Sequence, residues 1–123
     1  MASKKIKKVL VAEDERALAQ ALNLKLSKAG HIVTVARDGE EALKFITEGN
    51  FDVAIIDLVM PKKDGFAVLE GIRGMKNKPT VVVVLSNLAQ DEDRKRVLSL
   101  GAKDYFVKSN TPLSSIVEYL DKL

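Results

Sequence analysis

Five short apolar runs punctuate this chain, at residues 9–12, 32–35, 53–56, 81–85 and 105–107. Each is too short for a globular helix, several are β-branched, and few alternate with polar positions. Strands buried on both faces have this pattern. Between the runs lie segments of helical period. Leu18, Leu22 and Leu26, with Ala21, mark one face of a first helix, and Gly30 stands where a C′ glycine would end it. Asp38 followed by Glu41 resembles a capping box, Ala42, Leu43 and Ile46 then face inward, and Gly49 is the stop. Asp64 precedes a third helix carrying Phe66, Leu69 and Ile72, weakened by Gly71 and Gly74. Leu88, Val97, Leu98 and Leu100 mark a fourth, very polar helix. Thr111 as N-cap and Pro112 at the first helical position open the last, with Leu113, Ile116, Val117 and Leu120 on one face.

The resulting order, βαβαβαβαβα, repeats roughly every 24 residues, a period that overlaps leucine-rich repeats. No L-x-x-L-x-L-x-x-N pattern recurs, however, and the helical segments are too long for such a repeat. The better reading is an α/β protein with a doubly wound parallel sheet, helices on both faces and right-handed crossovers.

A length of 123 residues fits one domain. Hydrophobic residues at 46% and charged residues at 30% describe a soluble globular chain. The formal net charge of +3 invites a nucleic-acid reading, but its location argues otherwise. Lys4, Lys5, Lys7 and Lys8 open the chain, and removing those four turns the net charge from +3 to −1. With aromatics at only 5%, neither a basic footprint nor stacking platforms exist, and the cluster reads as solubilising. Absence of cysteine excludes disulfides, thiol catalysis and cysteine metal sites. The longest apolar run, residues 81–85, is far short of the ~18 residues a spanning helix needs. The basic start meets Glu13 and Asp14 too soon for a signal peptide, so a cytoplasmic location and no membrane contact are expected.

Open α/β sheets bind ligands outside the carboxyl ends of their strands, so the residues that follow each strand decide the chemistry. Strand one ends in Glu13 and Asp14, strand three in Asp57, strand four in Ser86 and strand five in Lys108, whereas strand two ends only in Ala36 and Arg37. Any single acid after a strand is more often a helix N-cap than a ligand. Five such residues at one edge are hard to explain as caps. Three carboxylates in one crevice repel unless a cation sits among them, and oxygen ligands without His or Cys suit Mg²⁺. The three acids, Lys108 and a divalent ion sum to zero formal charge. Such a site can accept a phosphoryl group, with metal and Lys108 neutralising its oxygens and Ser86 donating a hydrogen bond. A carboxylate is the only nucleophile placed for covalent transfer.

At these residues the chain resembles the receiver domain of two-component response regulators, especially the chemotaxis-type single-domain form. The matching stretches are VLVAEDE (9–15), DVAIIDLVMPKKDG (52–65), VVVVLSN (81–87) and GAKDYFVKS (101–109). The resemblance spans residues 7–123 and implies a flavodoxin-like, five-stranded sheet of order 2-1-3-4-5 in one receiver domain over 1–123, with no output domain. It implies that Asp57 is the phosphoacceptor and that Glu13, Asp14 and Asp57, with the backbone carbonyl of Val59, hold Mg²⁺. Ser86 would be the hydroxyl that moves to the phosphoryl oxygen, Lys108 the partner lysine, and Tyr105 the aromatic whose rotamer follows activation. The implied phosphoryl donor is a sensor histidine kinase or a histidine phosphotransfer protein. An output protein would then bind the face built by helix 4, strand 5 and helix 5, the chain being a monomer or weak dimer. The chain would catalyse only its own phosphorylation and dephosphorylation. Apolar Val59 and Leu88 would flank the route of attacking water and slow the loss of the phosphoryl group.

Three residues depart from the family pattern. Glu13 stands where Asp is commoner. Asn87 follows Ser86 where a small residue is usual, which would narrow access to Asp57. Ser109 follows Lys108 where a cis-proline is usual. A cis bond without proline costs ~2.5–4 kcal/mol, so a trans bond or a strained loop is expected.

Rival readings fit less well. A Mg²⁺-dependent aspartyl phosphatase of the haloacid-dehalogenase kind wants a second Asp two residues after the nucleophile, where Val59 stands. A flavin carrier needs a hydroxyl- and glycine-rich loop after strand one, where Glu13, Asp14 and Glu15 would repel the flavin phosphate. A phosphorylation-independent scaffold would not need the intact set of groups. The charge run Asp91–Arg96 reads as a solvated face or, more sharply, a partner contact. His31, the only histidine, is expected to be exposed or capping, at the edge opposite the acids.

Overall fold

A computed structural model describes residues 5–88 and 90–123. Five strands, β1 (Lys8–Ala12), β2 (Ile32–Ala36), β3 (Val53–Ile56), β4 (Val81–Ser86) and β5 (Asp104–Val107), alternate with five helices. The helices are α1 (Arg16–Lys28), α2 (Gly39–Glu48), α3 (Gly65–Arg73), α4 (Asp91–Ser99) and α5 (Leu113–Asp121), with a 3₁₀ turn at Lys108–Asn110. All pairings are parallel, in the order β2-β1-β3-β4-β5. The expected strands are present to within a residue at either end.

Side chains of a strand alternate between faces, and β1 divides its residues accordingly. Val9 and Val11 join Leu22 and Leu26 of α1 with Ile116 and Leu120 of α5 in one core layer. Leu10 and Ala12 join Ile46 of α2, Leu69 of α3 and Val97 of α4 in the other. Because both faces are covered, the strands need apolar residues at consecutive positions, which explains their unbroken runs. Strand order reverses between β1 and β3. Their carboxyl ends therefore flank a crevice that no crossover fills.

The capping residues behave partly as expected. The Asp38 and Asp64 side chains accept from the N–H groups of Glu41 (2.8 Å) and Ala67 (2.9 Å). The Glu41 carboxylate reaches the Arg37 N–H at 2.9 Å, one residue before the cap, so the box is displaced by one position. Gly30 has φ +98 just past α1, the left-handed conformation that a C′ position needs.

Five expectations are corrected. Gly71 does more than weaken α3: a Cβ there would lie 2.7 Å from Leu43 Cδ2, so glycine lets α2 and α3 approach. Leu88 lies before α4 and Leu98 is exposed, leaving Val97 as the buried residue of that helix. Thr111 does not cap α5, because its hydroxyl donates to the Val107 carbonyl at 2.8 Å and Pro112 takes the N-cap position. Of the basic start, Lys4 lies outside the described residues and Lys7 is buried, so the cluster is not uniformly solvated.

His31 is the fifth, since it is buried rather than exposed. Its Nδ1 accepts the Lys7 N–H at 3.2 Å, which leaves the proton on Nε2 to donate to Asp121 Oδ1 at 3.2 Å. The imidazole thus ties β1, the start of β2 and the end of α5 together at the amino edge of the sheet.

Candidate functional site

The polar residues named from the sequence converge at the carboxyl edge. Glu13, Asp14, Glu15, Asp57, Ser86 and Lys108 line a shallow cleft of about 350 Å³ together with Val59 and Asn87. Local structure explains the convergence. All pairings are parallel, so the strands end on the same edge: β1 and β3 stop level with each other at Ala12 and Ile56, and β4 and β5 run two residues further, to Ser86 and Val107. The loop after β3 folds back over the strand end, where the Gly65 N–H donates to the Leu58 carbonyl at 3.0 Å. A Cβ on Gly65 would run into the Asp57 carbonyl oxygen and lie 2.7 Å from Leu58 Cα. Glycine at this position therefore permits the loop to close beneath Asp57.

Lys108 organises the centre. Its Nζ donates to Asp57 Oδ2 at 2.8 Å, sits 2.7 Å from Glu13 Oε1 and lies 3.9 Å from Glu15 Oε2. Asp57 also accepts the Val59 N–H at 3.3 Å through its other oxygen. Glu13 accepts the Glu15 N–H at 3.0 Å. Asp57 and Glu13 are nearly enclosed, at 4% and 2% exposure, whereas Asp14 is exposed. Burial raises the Glu13 carboxyl to about 7, against the lowering effect of its bonds to Lys108 and the Glu15 N–H. Burial alone would lower the Lys108 ammonium, but its bonds to Asp57 and Glu13 outweigh that and leave it raised. The ammonium is thus shared among acids that outnumber it.

The Glu13, Asp14 and Asp57 carboxylates each place an oxygen within 4.8 Å of the others. An all-oxygen set with no sulfur or imidazole fits a hard divalent cation such as Mg²⁺. Ser86 is fully buried and its Oγ accepts the Leu88 N–H at 3.4 Å. Val59 is 60% exposed above Asp57. Tyr105 is buried, its hydroxyl has no hydrogen-bond partner among the described residues, and the Arg94 guanidinium lies 5.3 Å from its ring centroid. Burial, then the nearby Asp93, raises the Tyr105 hydroxyl.

Three contributions go beyond the roles read from the sequence. Glu15 joins the acids around Lys108, and the E-D-E run was its only signal. Asn87 accepts the Ser109 N–H at 3.1 Å. The basic residues of α4 are not simply solvated, for Arg94 covers Tyr105 and Arg96 lies 4.0 Å from the Phe66 ring centroid. The described residues contain no cis peptide bond, so Lys108–Ser109 is trans and leads into the 3₁₀ turn, as expected without proline.

The family model of the response regulator receiver domain matches residues 9–120. The chain is 41% identical over 105 residues to a probable transcriptional regulator, ycf27, of Guillardia theta, covering 85% of this chain and 41% of that protein. It spans about half or less of the length of such curated relatives. Among solved structures, the receiver domain of the Francisella response regulator 1452 superposes with a TM-score of 0.86 at 36% identity, covering 94% of each chain. The chemotaxis protein CheY4 of Vibrio cholerae gives 0.88 at 28% identity, covering 96% of this chain and 98% of that one. No helix among the described residues is long and apolar enough to cross a membrane. Sequence, strand order and edge chemistry agree: the chain belongs to the receiver domain family of two-component response regulators, whose role is to accept a phosphoryl group.

Proposed function

We propose that Asp57 is the phosphoacceptor of this receiver, with a protein phosphohistidine of a sensor kinase or phosphotransfer protein as donor. The observation that carries the reading is the shared ammonium: Lys108 Nζ bridges Asp57 Oδ2 and Glu13 Oε1 at 2.8 and 2.7 Å. A cation held between two carboxyl groups can give up one of them to a new anion.

In the transfer, an Asp57 carboxylate oxygen attacks phosphorus and forms the O–P bond while the P–N bond breaks. The electron pair of that bond leaves on the imidazole nitrogen. The other ring nitrogen already carries the proton, so no further proton is needed. Glu13, Asp14 and Asp57, with the Val59 carbonyl, are the residues that would hold Mg²⁺. When bound, the ion neutralises phosphoryl oxygens and aligns them with the nucleophile. Lys108 keeps its place and exchanges a carboxylate oxygen for a phosphoryl oxygen. The Ser86 hydroxyl, now accepting from the Leu88 N–H, turns its own hydrogen toward the new group. The added charge of roughly −1.5 to −2 biases the β4–α4 and β5–α5 loops toward one of two arrangements. Tyr105 follows. Its hydroxyl has no hydrogen-bond partner among the described residues, so its present position is easy to exchange. The altered surface of α4, β5 and α5 is then the docking face of an output protein.

Incubation with acetyl phosphate and Mg²⁺ should add one phosphoryl group by intact mass, and Asp57→Asn should remove the adduct. An unmodified wild-type protein that also fails to bind beryllofluoride would contradict the reading.

A further inference from the structure

Asn87 and Ser109 are 22 residues apart, yet the Ser109 N–H donates to Asn87 Oδ1 at 3.1 Å. Each is the residue directly after a group of the site, Ser86 and Lys108. A bond between them ties the β4–α4 loop to the start of the β5–α5 loop above the cleft. Without a ring at 109, the 3₁₀ turn Lys108–Asn110 is held by little else among the described residues. The Thr111 hydroxyl donates to the Val107 carbonyl at 2.8 Å, and the Thr111 N–H reaches the Lys108 carbonyl only at 3.3 Å. Neither fixes the peptide that follows Lys108. The Asn87 carboxamide does.

We propose that Asn87 is a positioning residue for phosphoryl acceptance, acting through Ser109 to keep Lys108 aimed at Asp57 and Glu13. Asn87 lies exposed on the cleft wall, and its acceptor oxygen engages a backbone donor that a proline at 109 could not offer. Removing either half of the bond frees the Lys108 peptide to wander. The long lysine side chain carries that freedom to its Nζ, where displacements of an ångström matter. The same bond also makes the two loops move together when Ser86 shifts. The same side chain lines the cleft beside Asp57, where the expected narrowing of access is compatible with this bond.

The inference rests on the phosphoacceptor reading for its kinetic consequence but not for its structural one, and the test separates the two. Phosphorylation rates with acetyl phosphate and Mg²⁺ are compared for wild type, Asn87→Ala, Ser109→Pro, the double variant and Ser109→Ala. Loss of one neutral hydrogen bond predicts a fall of about threefold to tenfold for Asn87→Ala and for Ser109→Pro. The double variant should be no slower than the slower single, since both remove one interaction. Ser109→Ala keeps the N–H and should match wild type. In the unphosphorylated proteins, Asn87→Ala should lower the ¹³C order parameter of the Lys108 Cε and speed exchange of the Ser109 amide, at unchanged melting temperature. Losses that multiply in the double variant, or an Asn87→Ala protein with wild-type Lys108 order, would overturn the proposal. A wild type that takes no phosphoryl group would sink the functional reading alone, with Lys108 order still deciding the role of Asn87.

Discussion

The two edges of the sheet are built on opposite plans. At the amino edge the polar groups of Lys8, Asp52 and His31 have settled partners: the Lys8 N–H bonds Asp52 Oδ2 at 2.8 Å, and His31 uses both ring nitrogens, on Lys7 and Asp121. At the carboxyl edge partners are contested. One ammonium serves Glu13, Asp57 and Glu15, and a buried phenol has no partner among the described residues. Satisfied groups hold a structure in place, whereas over-subscribed ones can exchange partners at low cost. The same five strands thus end in an anchor on one side and a switch on the other.

The comparison can be broken most directly at its cation. Lys108→Met should slow phosphorylation from a small-molecule donor by roughly 100-fold, the scale of one lost electrostatic stabiliser. The same substitution should tighten Mg²⁺ binding, because the ammonium no longer competes for Glu13; a titration in which Mg²⁺ binds no better would contradict the shared-ammonium account. Next in size is Gly65→Ala, whose Cβ would collide with the Asp57 carbonyl and Leu58. It should cost about 1–3 kcal/mol in denaturant unfolding and distort the acceptor loop. His31→Ala tests the anchor. Stranding the Lys7 N–H should cost about 1–3 kcal/mol of stability while leaving the phosphorylation rate within about twofold of wild type. A rate that fell in step with stability would show the edges to be coupled. The smallest effect is at the rim of the cleft. Val59→Asn with Leu88→Glu should speed loss of the phosphoryl group by roughly fivefold, by offering polar groups that orient water.

The carboxyl edge was legible in the sequence because its chemistry directly follows each strand, so locating the strands located Glu13, Asp14, Asp57, Ser86 and Lys108 together. The strands themselves were legible because burial on both faces demands unbroken apolar runs. What stayed hidden depends on contacts between distant segments. No local pattern reveals that His31 meets Asp121, 90 residues on. Nor does it reveal that Asn87, next to Ser86 in sequence, accepts the Ser109 N–H from 22 residues on. Thr111 had the chemistry of a cap, but the 3₁₀ turn before it turned the hydroxyl toward Val107 instead. Gly71 reads as a helix breaker until the Leu43 side chain of α2 is seen to occupy its missing methyl.

The central claim is that one carboxylate, Asp57, takes the phosphoryl group. Protein phosphorylated in the presence of Mg²⁺ can be treated with borohydride, which reduces an aspartyl phosphate to homoserine, and then sequenced by tandem mass spectrometry. The account predicts homoserine at position 57 and at no other acidic residue, Glu13 and Asp14 included. A trapped residue elsewhere, or an adduct that persists in Asp57→Asn, would contradict it.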